Sequence, residues 1–218
     1  MIEKIGKKYY ENISNPDNVF VSELIKTKQQ LNKICVAEIG IGIGATSKEI
    51  YNILDDEDEY YIFDYDEKIK ELKYDLEYLY DSGPKLHLYG NSKLTHDSYA
   101  WSLYNIWEKC FNRGNTNLFD LVFLDGAHDF VIDYVSCSIL MKLLNQNGAI
   151  IIDNPDLKYM DICNKSVNHS IKFRTIYSDY QLQCSQLNMV IKLLLSDNES
   201  FEIKSSKNET SVIFWRKL

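Results

Sequence analysis

Proline and glycine are scarce in this chain of 218 residues, which has 3 Pro and 9 Gly. No stretch is rich enough in Pro, Gly or Ser to form a linker, and we see no repeat or low-complexity tract. The longest apolar runs are a few residues, far short of the roughly 20 that span a bilayer. The first residues also lack the apolar core of a signal peptide. We therefore expect one cytoplasmic domain over residues 1–218, without a membrane partner.

Cysteine pairing and basic charge are also lacking. The five cysteines include no C-x-x-C pair, and their odd number fits reduced thiols better than a disulfide framework. The formal net charge is -8, and there is no long basic run. Because nucleic-acid binding depends on basic patches, we expect a small-molecule partner and no nucleic acid. A homodimer is compatible with the sequence as a common assembly.

Short apolar runs alternate with segments of helical periodicity. Five runs predict strands, at residues 34–39, 60–63, 85–89, 119–124 and 149–152. The nearly continuous apolar run at residues 34–39 is typical of a strand buried on both faces, and residues 60–63 predict a second buried strand. Residues 201–205 and 211–215, with a polar turn around Asn208, predict a hairpin. The alternation predicts a Rossmann-like, doubly wound α/β fold, with a mostly parallel seven-stranded sheet and a C-terminal antiparallel hairpin.

The periodic segments also predict how the domain is divided. Residues 1–32 are a helical lead-in, residues 33–156 a cofactor-binding core, and residues 157–218 a C-terminal part with the closing hairpin. The helix before the fifth strand has a predicted apolar stripe with Gly148 as its C-terminal cap. That stripe consists of Val135, Ile139, Leu143 and Leu144.

A glycine-rich loop follows the first strand, with the pattern Glu38-x-Gly40-x-Gly42-x-Gly44. The spacing is neither G-x-G-x-x-G nor G-x-x-x-x-G-K-[ST], which hold phosphates. Glu38 would repel a phosphate and would favour a positively charged cofactor, such as S-adenosylmethionine with its ammonium and sulfonium. We interpret Glu38, Gly40, Ile41, Gly42 and Gly44 as cofactor-binding; a plain tight turn is the alternative.

Polar residues follow the second and third strands at the same predicted edge. A carboxylate at Asp64 would accept both ribose hydroxyls of an adenosine, with Tyr65 beside it. Asp66 is the better N-cap of the next helix, which leaves Asp64 for the ligand. Asn91 and Ser92 follow the third strand, where an amide would donate to and accept from an adenine edge.

Three oxygen-bearing side chains close the fourth and fifth strands. Asp125 follows the fourth strand, and Asp153 and Asn154 follow the fifth. Since these strands should be neighbours, the three side chains should converge as an oxygen donor set that suits Mg²⁺ or another hard divalent cation. The alternatives are an acid bordering a substrate pocket without a metal, and a turn at Asn-Pro.

His128 stands three residues after Asp125. An imidazole with a pKa near neutrality could take the proton of an acceptor hydroxyl, so we predict that His128 and Asp125 are catalytic. We also predict that Asp125 is among the cofactor-binding residues. The alternative for His128 is a surface cap of the next helix.

In order and spacing, the Glu38–Gly44 loop, Asp64, Gly90-Asn91-Ser92 and residues 119–125 resemble the motifs of class I S-adenosylmethionine-dependent methyltransferases. The resemblance covers about residues 33–156, and the hairpin extends it to the end. The family often has an acidic residue where Asn91 stands. The strand-end set of Asp125 with Asp153-Asn154 is similar to the metal site of catechol and caffeoyl-type O-methyltransferases, and residues 124–128 are similar to sugar O-methyltransferases. The catechol-type enzymes have a lysine base where His128 stands.

The resemblance implies an S-adenosylmethionine-dependent O-methyltransferase, assisted by a divalent metal, that acts on a hydroxyl of a small molecule such as a sugar or sugar-linked precursor. Two alternatives stay open: a metal-independent N- or O-methyltransferase, and a non-catalytic cofactor-binding subunit. Tyr9, Tyr10, Phe20 and residues 155–170 belong either to the acceptor pocket or to the core.

Overall fold

The computed structural model describes residues 1–94, 96–204 and 211–217, which form one seven-stranded sheet with flanking helices. The strands are β1 (Cys35–Ile39), β2 (Glu59–Tyr65), β3 (Lys85–Asn91), β4 (Phe119–Leu124), β5 (Leu144–Asp153), β6 (Phe201–Lys204) and β7 (Ser211–Arg216). Their order across the sheet is β3-β2-β1-β4-β5-β7-β6.

Strands β1 to β5 are parallel, whereas β7 is antiparallel to both β5 and β6. The predicted Rossmann-like fold with its C-terminal hairpin is therefore confirmed, although the turn predicted around Asn208 lies outside the described residues. The strand order reverses between β1 and β4, and ligands of open α/β sheets bind at the carboxyl ends of strands beside such a reversal.

Within the described ranges the chain forms nine α-helices and two short 3₁₀ helices. The α-helices are α1 (Asn18–Gln30), α2 (Ala45–Ile53), α3 (Asp66–Leu79), α4 (Tyr99–Asn112), α5 (Phe130–Leu143), α6 (Tyr159–Lys165), α7 (Val167–Arg174), α8 (Asp179–Gln183) and α9 (Gln186–Leu194). The lead-in of residues 1–32 contains both 3₁₀ helices, Ile2–Lys4 and Lys8–Ile13, and α1. No helix in the described part of the chain is long and apolar enough to cross a membrane.

Two apolar clusters cover the two faces of the sheet. Successive residues of β1 alternate between them, so that Val36 joins the cluster with Phe20 and Leu72 while Ala37 joins the cluster with Leu140. Burial on both faces explains why the strands are almost continuously apolar in sequence. Phe20 is fully buried and packs on Phe123, with ring centroids 4.8 Å apart, and is therefore a core residue.

The predicted apolar stripe of α5 is wrong in part. Val135 is 44% exposed, whereas Cys137 and Leu140 are fully buried. Helix α5 packs against α4 and α9 as well as against the sheet. Its buried residues are therefore not confined to one stripe.

The predicted ends of two helices are also wrong. Helix α5 ends at Leu143 and the chain becomes extended at Leu144, which already pairs with Phe119, so Gly148 lies within β5 and caps nothing. Asp66 is the first residue of α3 rather than its N-cap, because β2 continues to Tyr65. In both cases sheet pairing extends further than the apolar run suggested.

Replacement of Leu140 by Ala should lower the free energy of unfolding by about 2–5 kcal/mol, because it leaves a cavity between α5 and the sheet. The matched variant Val135→Ala, on the exposed face of the same helix, should change it by less than about 1 kcal/mol. Urea denaturation followed by circular dichroism measures both. Equal losses would mean that α5 faces the core differently.

Candidate active site

A cavity of about 430 Å³ opens at the carboxyl ends of β1 to β4. Its volume lies within the range of roughly 300–1,000 Å³ that is typical of small-molecule sites. Six of the predicted cofactor residues line it: Gly40, Gly42, Asp64, Tyr65, Asn91 and Asp125. The remaining wall is formed by Ile13, Phe63, Lys68, Asp97, Ser98, Tyr99, Gly126, Ala127 and Ile132. The cavity lies beside the strand-order reversal, as expected of a ligand site.

The glycine loop approaches the end of β4 very closely. A Cβ on Gly40 would lie 2.0 Å from the backbone oxygen of Asp125, and Gly40 has a φ of +85°. The Asp125 N–H donates to the Ile39 carbonyl at 2.9 Å, and the Gly40 N–H donates to the Phe63 carbonyl at 2.8 Å. A side chain at position 40 would therefore separate the loop from β4.

Glu38 supports the loop from behind the cavity wall. Its side chain is buried and accepts hydrogen bonds from the Tyr60 hydroxyl and, at 2.7 Å, from the Ser47 hydroxyl. Burial raises the pKa of Glu38 to about 7, although these two hydrogen bonds lower it. Glu38 does not line the cavity, so in this arrangement it would influence a ligand through charge and loop geometry.

Asp64 is held in place at the cavity wall by three donors. Its Oδ1 accepts from the Tyr65 N–H at 2.6 Å, and its Oδ2 accepts from the Ile41 N–H at 2.9 Å. The Lys68 ammonium lies 3.3 Å from Oδ2. Lys68 also lines the cavity, and the sequence did not predict this because Asp64 ends a strand and Lys68 lies in the following helix.

The loop after β3 adds a carboxylate that the sequence reading did not identify. Asp97 lines the cavity, and its Oδ2 accepts from the Ser92 N–H at 2.7 Å. Asn91 donates through Nδ2 to the Ser92 carbonyl at 3.2 Å. Ser92 itself lies outside the cavity wall, whereas Asp97 contributes an acidic group to the wall close to Asn91.

Two tyrosine hydroxyls hold the segment after β4 at Ala127. The Ala127 N–H donates to the Tyr99 hydroxyl at 3.0 Å, and the Ala127 carbonyl accepts from the Tyr159 hydroxyl. Tyr99 in turn donates to Asp133, whose Oδ2 has no hydrogen-bond partner in the described part of the chain. Burial raises the pKa of Asp133 to about 7. The segment that carries Asp125 and His128 is thus fixed on both sides.

Asp125, His128 and Asp153 converge at the edge of this cavity, with potential ligand atoms within 4.8 Å of one another. Burial, followed by the charges of Asp153 and Glu38, raises the pKa of Asp125 well above its usual range. Among residues 1–94, 96–204 and 211–217, no Lys or Arg forms an ion pair with Asp125 or Asp153. This unneutralised oxygen donor set fits a divalent cation.

Asn154 lies next to this set, and its amide nitrogen, not its amide oxygen, faces the Asp153 carboxylate. Its Nδ2 donates to Asp153 Oδ2 at 2.5 Å, and its backbone has a φ of 42°. The positive φ explains why an Asn fits this position better than a branched residue would.

The His128 ring is held between two backbone carbonyls. Its Nδ1 lies 3.3 Å from the Gly126 oxygen, and its Nε2 lies 3.2 Å from the Asp153 oxygen. A neutral imidazole has only one N–H, so one of these contacts is not a hydrogen bond unless the ring is protonated. To bind a metal or accept a proton, the ring has to leave at least one carbonyl.

Two further residues adjoin Asp153 and carry no motif. The Ser211 hydroxyl lies 3.1 Å from Asp153 Oδ1 and 2.6 Å from Asp17 Oδ2. Burial raises the pKa of Asp17, and the charge of Asp153 adds to this rise. Asp17 is the N-cap of α1, and no pattern in the sequence predicted its position near Asp153, which depends on the tertiary structure.

Replacement of Gly40 by Ala should destabilise the protein more than replacement of Gly114 by Ala. Both glycines have a left-handed backbone, which costs an alanine about 1–2 kcal/mol. Only at Gly40 does the added Cβ also collide with backbone, since nothing lies within 4 Å at Gly114. Thermal unfolding of the two variants measures the difference. Equal losses would contradict the close approach of the loop to Asp125.

No family model and no curated protein sequence matches this chain. Solved structures are similar to it. A Staphylococcus aureus protein assigned as a caffeoyl-CoA O-methyltransferase is 15% identical, with a TM-score of 0.62 over 100% of this chain and 92% of that one. An O-methyltransferase from Bacillus cereus, in complex with S-adenosylhomocysteine, is 14% identical, with a TM-score of 0.53 over 100% of both chains.

A third structure, the S-adenosylhomocysteine-bound methyltransferase PaMTH1 from Podospora anserina, is 17% identical, with a TM-score of 0.56 over 91% of this chain and 77% of that one. At these identities the similarity concerns the fold. The chain therefore has the fold of class I S-adenosylmethionine-dependent methyltransferases, as the sequence resemblance predicted.

Proposed function

We propose that the protein is an S-adenosylmethionine-dependent O-methyltransferase that acts on a hydroxylated small molecule with the help of a divalent cation. The observation that carries the proposal is the position of Asp125. This residue lines the cavity, and its carboxylate belongs to the donor set with Asp153. A methyl donor in the cavity and an acceptor hydroxyl at the donor set would therefore be neighbours, as transfer between them requires.

The cavity offers suitable groups for each part of the methyl donor. Asp64 is a firmly held carboxylate with lone pairs left for ribose hydroxyls, and Asn91 and Asp97 offer polar atoms for an adenine edge. The acidic surroundings, with Glu38 behind the loop and Asp125 in the wall, favour the cationic ammonium and sulfonium. They disfavour a phosphate-bearing nucleotide for the same reason.

Asp125, Asp153 and Asn154 would hold the cation, and His128 adjoins them. A bound divalent cation would lower the pKa of an acceptor hydroxyl and hold it in place. In the transfer, the acceptor oxygen forms a bond to the methyl carbon, the sulfur–carbon bond breaks, and the hydroxyl proton goes to a base. His128 is the proposed base, after its ring has left the Gly126 or Asp153 carbonyl.

The net charge of the protein and the oxygen donor set support a hydroxylated small molecule as the acceptor. A hydroxyl is the group that benefits most from a hard cation, and a sugar or sugar-linked precursor presents several. The net charge of -8 argues against nucleic acid as the acceptor. The cytoplasmic compartment and a homodimer remain part of the proposal from the sequence.

Binding of S-adenosylhomocysteine, measured by isothermal titration calorimetry, tests the proposed cofactor site. We expect saturable binding to the unmutated protein and about tenfold weaker binding to Asp64→Asn, because the variant loses a charged acceptor of ribose hydroxyls. Asp66→Asn, which removes a nearby exposed carboxylate, is the control and should bind normally. Absence of binding to the unmutated protein at millimolar concentration would contradict the cofactor assignment.

Transfer of a labelled methyl group from S-adenosylmethionine to a panel of sugars and other hydroxylated small molecules tests the role of the metal. The unmutated protein should form product in the presence of Mg²⁺. The rate of methyl transfer should fall at least about a hundredfold when a chelator is added, and also in the Asp153→Ala variant. The chelated protein and the variant should both still bind S-adenosylhomocysteine. Equal transfer without metal would favour the metal-independent methyltransferase. Cofactor binding without transfer to any acceptor would favour the non-catalytic subunit.

A further inference from the structure

A buried serine of the last strand contacts the Asp153 side chain. Ser211 is the first residue of β7 and is paired with Asp153 in the antiparallel ladder. Its side chain is almost completely buried, and its hydroxyl oxygen lies 3.1 Å from Asp153 Oδ1. The hairpin therefore brings a hydroxyl to the carboxylate that ends β5.

The same hydroxyl connects Asp153 to the N-terminal segment. Asp17 Oδ2 lies 2.6 Å from Ser211 Oγ, and Asp17 Oδ1 accepts from the Phe20 N–H at 2.6 Å as the N-cap of α1. The Asp17 N–H donates to the Thr46 hydroxyl at 3.1 Å, in the first turn of α2, which follows the glycine loop. Three attachments thus hold Asp17 between the loop helix and β7.

The two carboxylates share one hydroxyl, which has a single proton to donate. Ser211 can therefore donate to Asp17 or to Asp153 at one time, and the other carboxyl group needs a proton or a cation as its partner. A cation at the donor set would be this partner on the Asp153 side, which leaves the hydroxyl proton to Asp17. The arrangement also places the carboxyl group of Asp17 close to the donor set, in partly buried surroundings where charges are poorly screened.

We propose that Asp17 and Ser211 are positioning residues for the cation site: they orient the Asp153 carboxylate, increase the affinity for the cation, and connect the site to the glycine-loop helix through Thr46. This inference rests on the proposed metal-assisted function and adds the N-terminal segment and the last strand to it. Groups behind a metal ligand typically change metal affinity by about 10- to 100-fold when they are replaced.

The competing explanation is that Asp17 only caps α1. Asn caps helices about as well as Asp, so Asp17→Asn keeps the cap and removes the charge. At position 211, Ser211→Ala removes the hydroxyl, whereas Ser211→Thr retains it in a residue that β-strands favour. These three variants separate a role in cation binding from a role in folding.

Mn²⁺ titration of the purified full chain, with free Mn²⁺ followed by electron paramagnetic resonance, tests the inference without an activity assay. We expect the dissociation constant for Mn²⁺ to rise about tenfold in Asp17→Asn and in Ser211→Ala, and to stay within about twofold in Ser211→Thr. The matched controls Asp179→Asn and Ser138→Ala, which lie on α8 and α5, should also stay within about twofold. Calorimetry should give an unchanged affinity for S-adenosylhomocysteine in Asp17→Asn, and melting curves check that each variant is folded.

The outcomes separate the inference from the function on which it rests. If the unmutated protein binds Mn²⁺ and folded Asp17→Asn and Ser211→Ala bind it equally well, the positioning role is overturned while the metal site stands. If the unmutated protein binds no Mn²⁺ at millimolar concentration, the proposed metal site fails and the positioning role fails with it. Because Asp17 and Ser211 act as one unit, the double variant should lose little more than either single one.

Discussion

The close packing of the glycine loop against the end of β4 is the constraint on which the site depends. Only a residue without a Cβ allows the Gly40 backbone to lie beside the Asp125 carbonyl. This contact lies where the strand order reverses, so it sets the width of the cavity and the position of the Asp125 carboxylate at once. The tyrosine hydroxyls at Ala127 hold the other side of the same segment, which leaves Asp125 little freedom to move.

A cluster of acidic side chains that forms no ion pair with Lys or Arg in the described part of the chain is the second defining property of the site. Asp125 and Asp153 face each other, Glu38 lies behind the loop, and Asp17 adjoins Asp153 through Ser211. Carboxylates that are gathered in poorly solvated surroundings are unfavourable as anions unless a proton or a cation compensates them. The cluster lies at the edge of the sheet where ligands of such folds bind, and the proposed cationic cofactor and divalent ion would both lower this cost.

The sequence was informative where local backbone rules apply. The alternation of apolar runs predicted the strands, with β4 correct to the residue, and the loop spacing predicted where the cavity would open. It failed at Val135, Gly148 and Asp66, because packing against other helices and the extension of sheet pairing overrode the local pattern. The position of the His128 ring between two backbone carbonyls was equally unpredictable, since it depends on how the segment after β4 folds back.

By itself the sequence determined the strand-helix alternation, the glycine loop and the acids at the ends of β2, β4 and β5. These features follow from side-chain periodicity and backbone sterics, which act between residues close in the chain. Only the tertiary structure decided that Asp17, Ser211, Tyr99 and Asp133 support the site. The Tyr99–Asp133 contact joins residues 34 positions apart, and the Asp17–Ser211 contact joins residues 194 positions apart. Such contacts arise from the way elements pack, for which a single sequence carries no periodic signal.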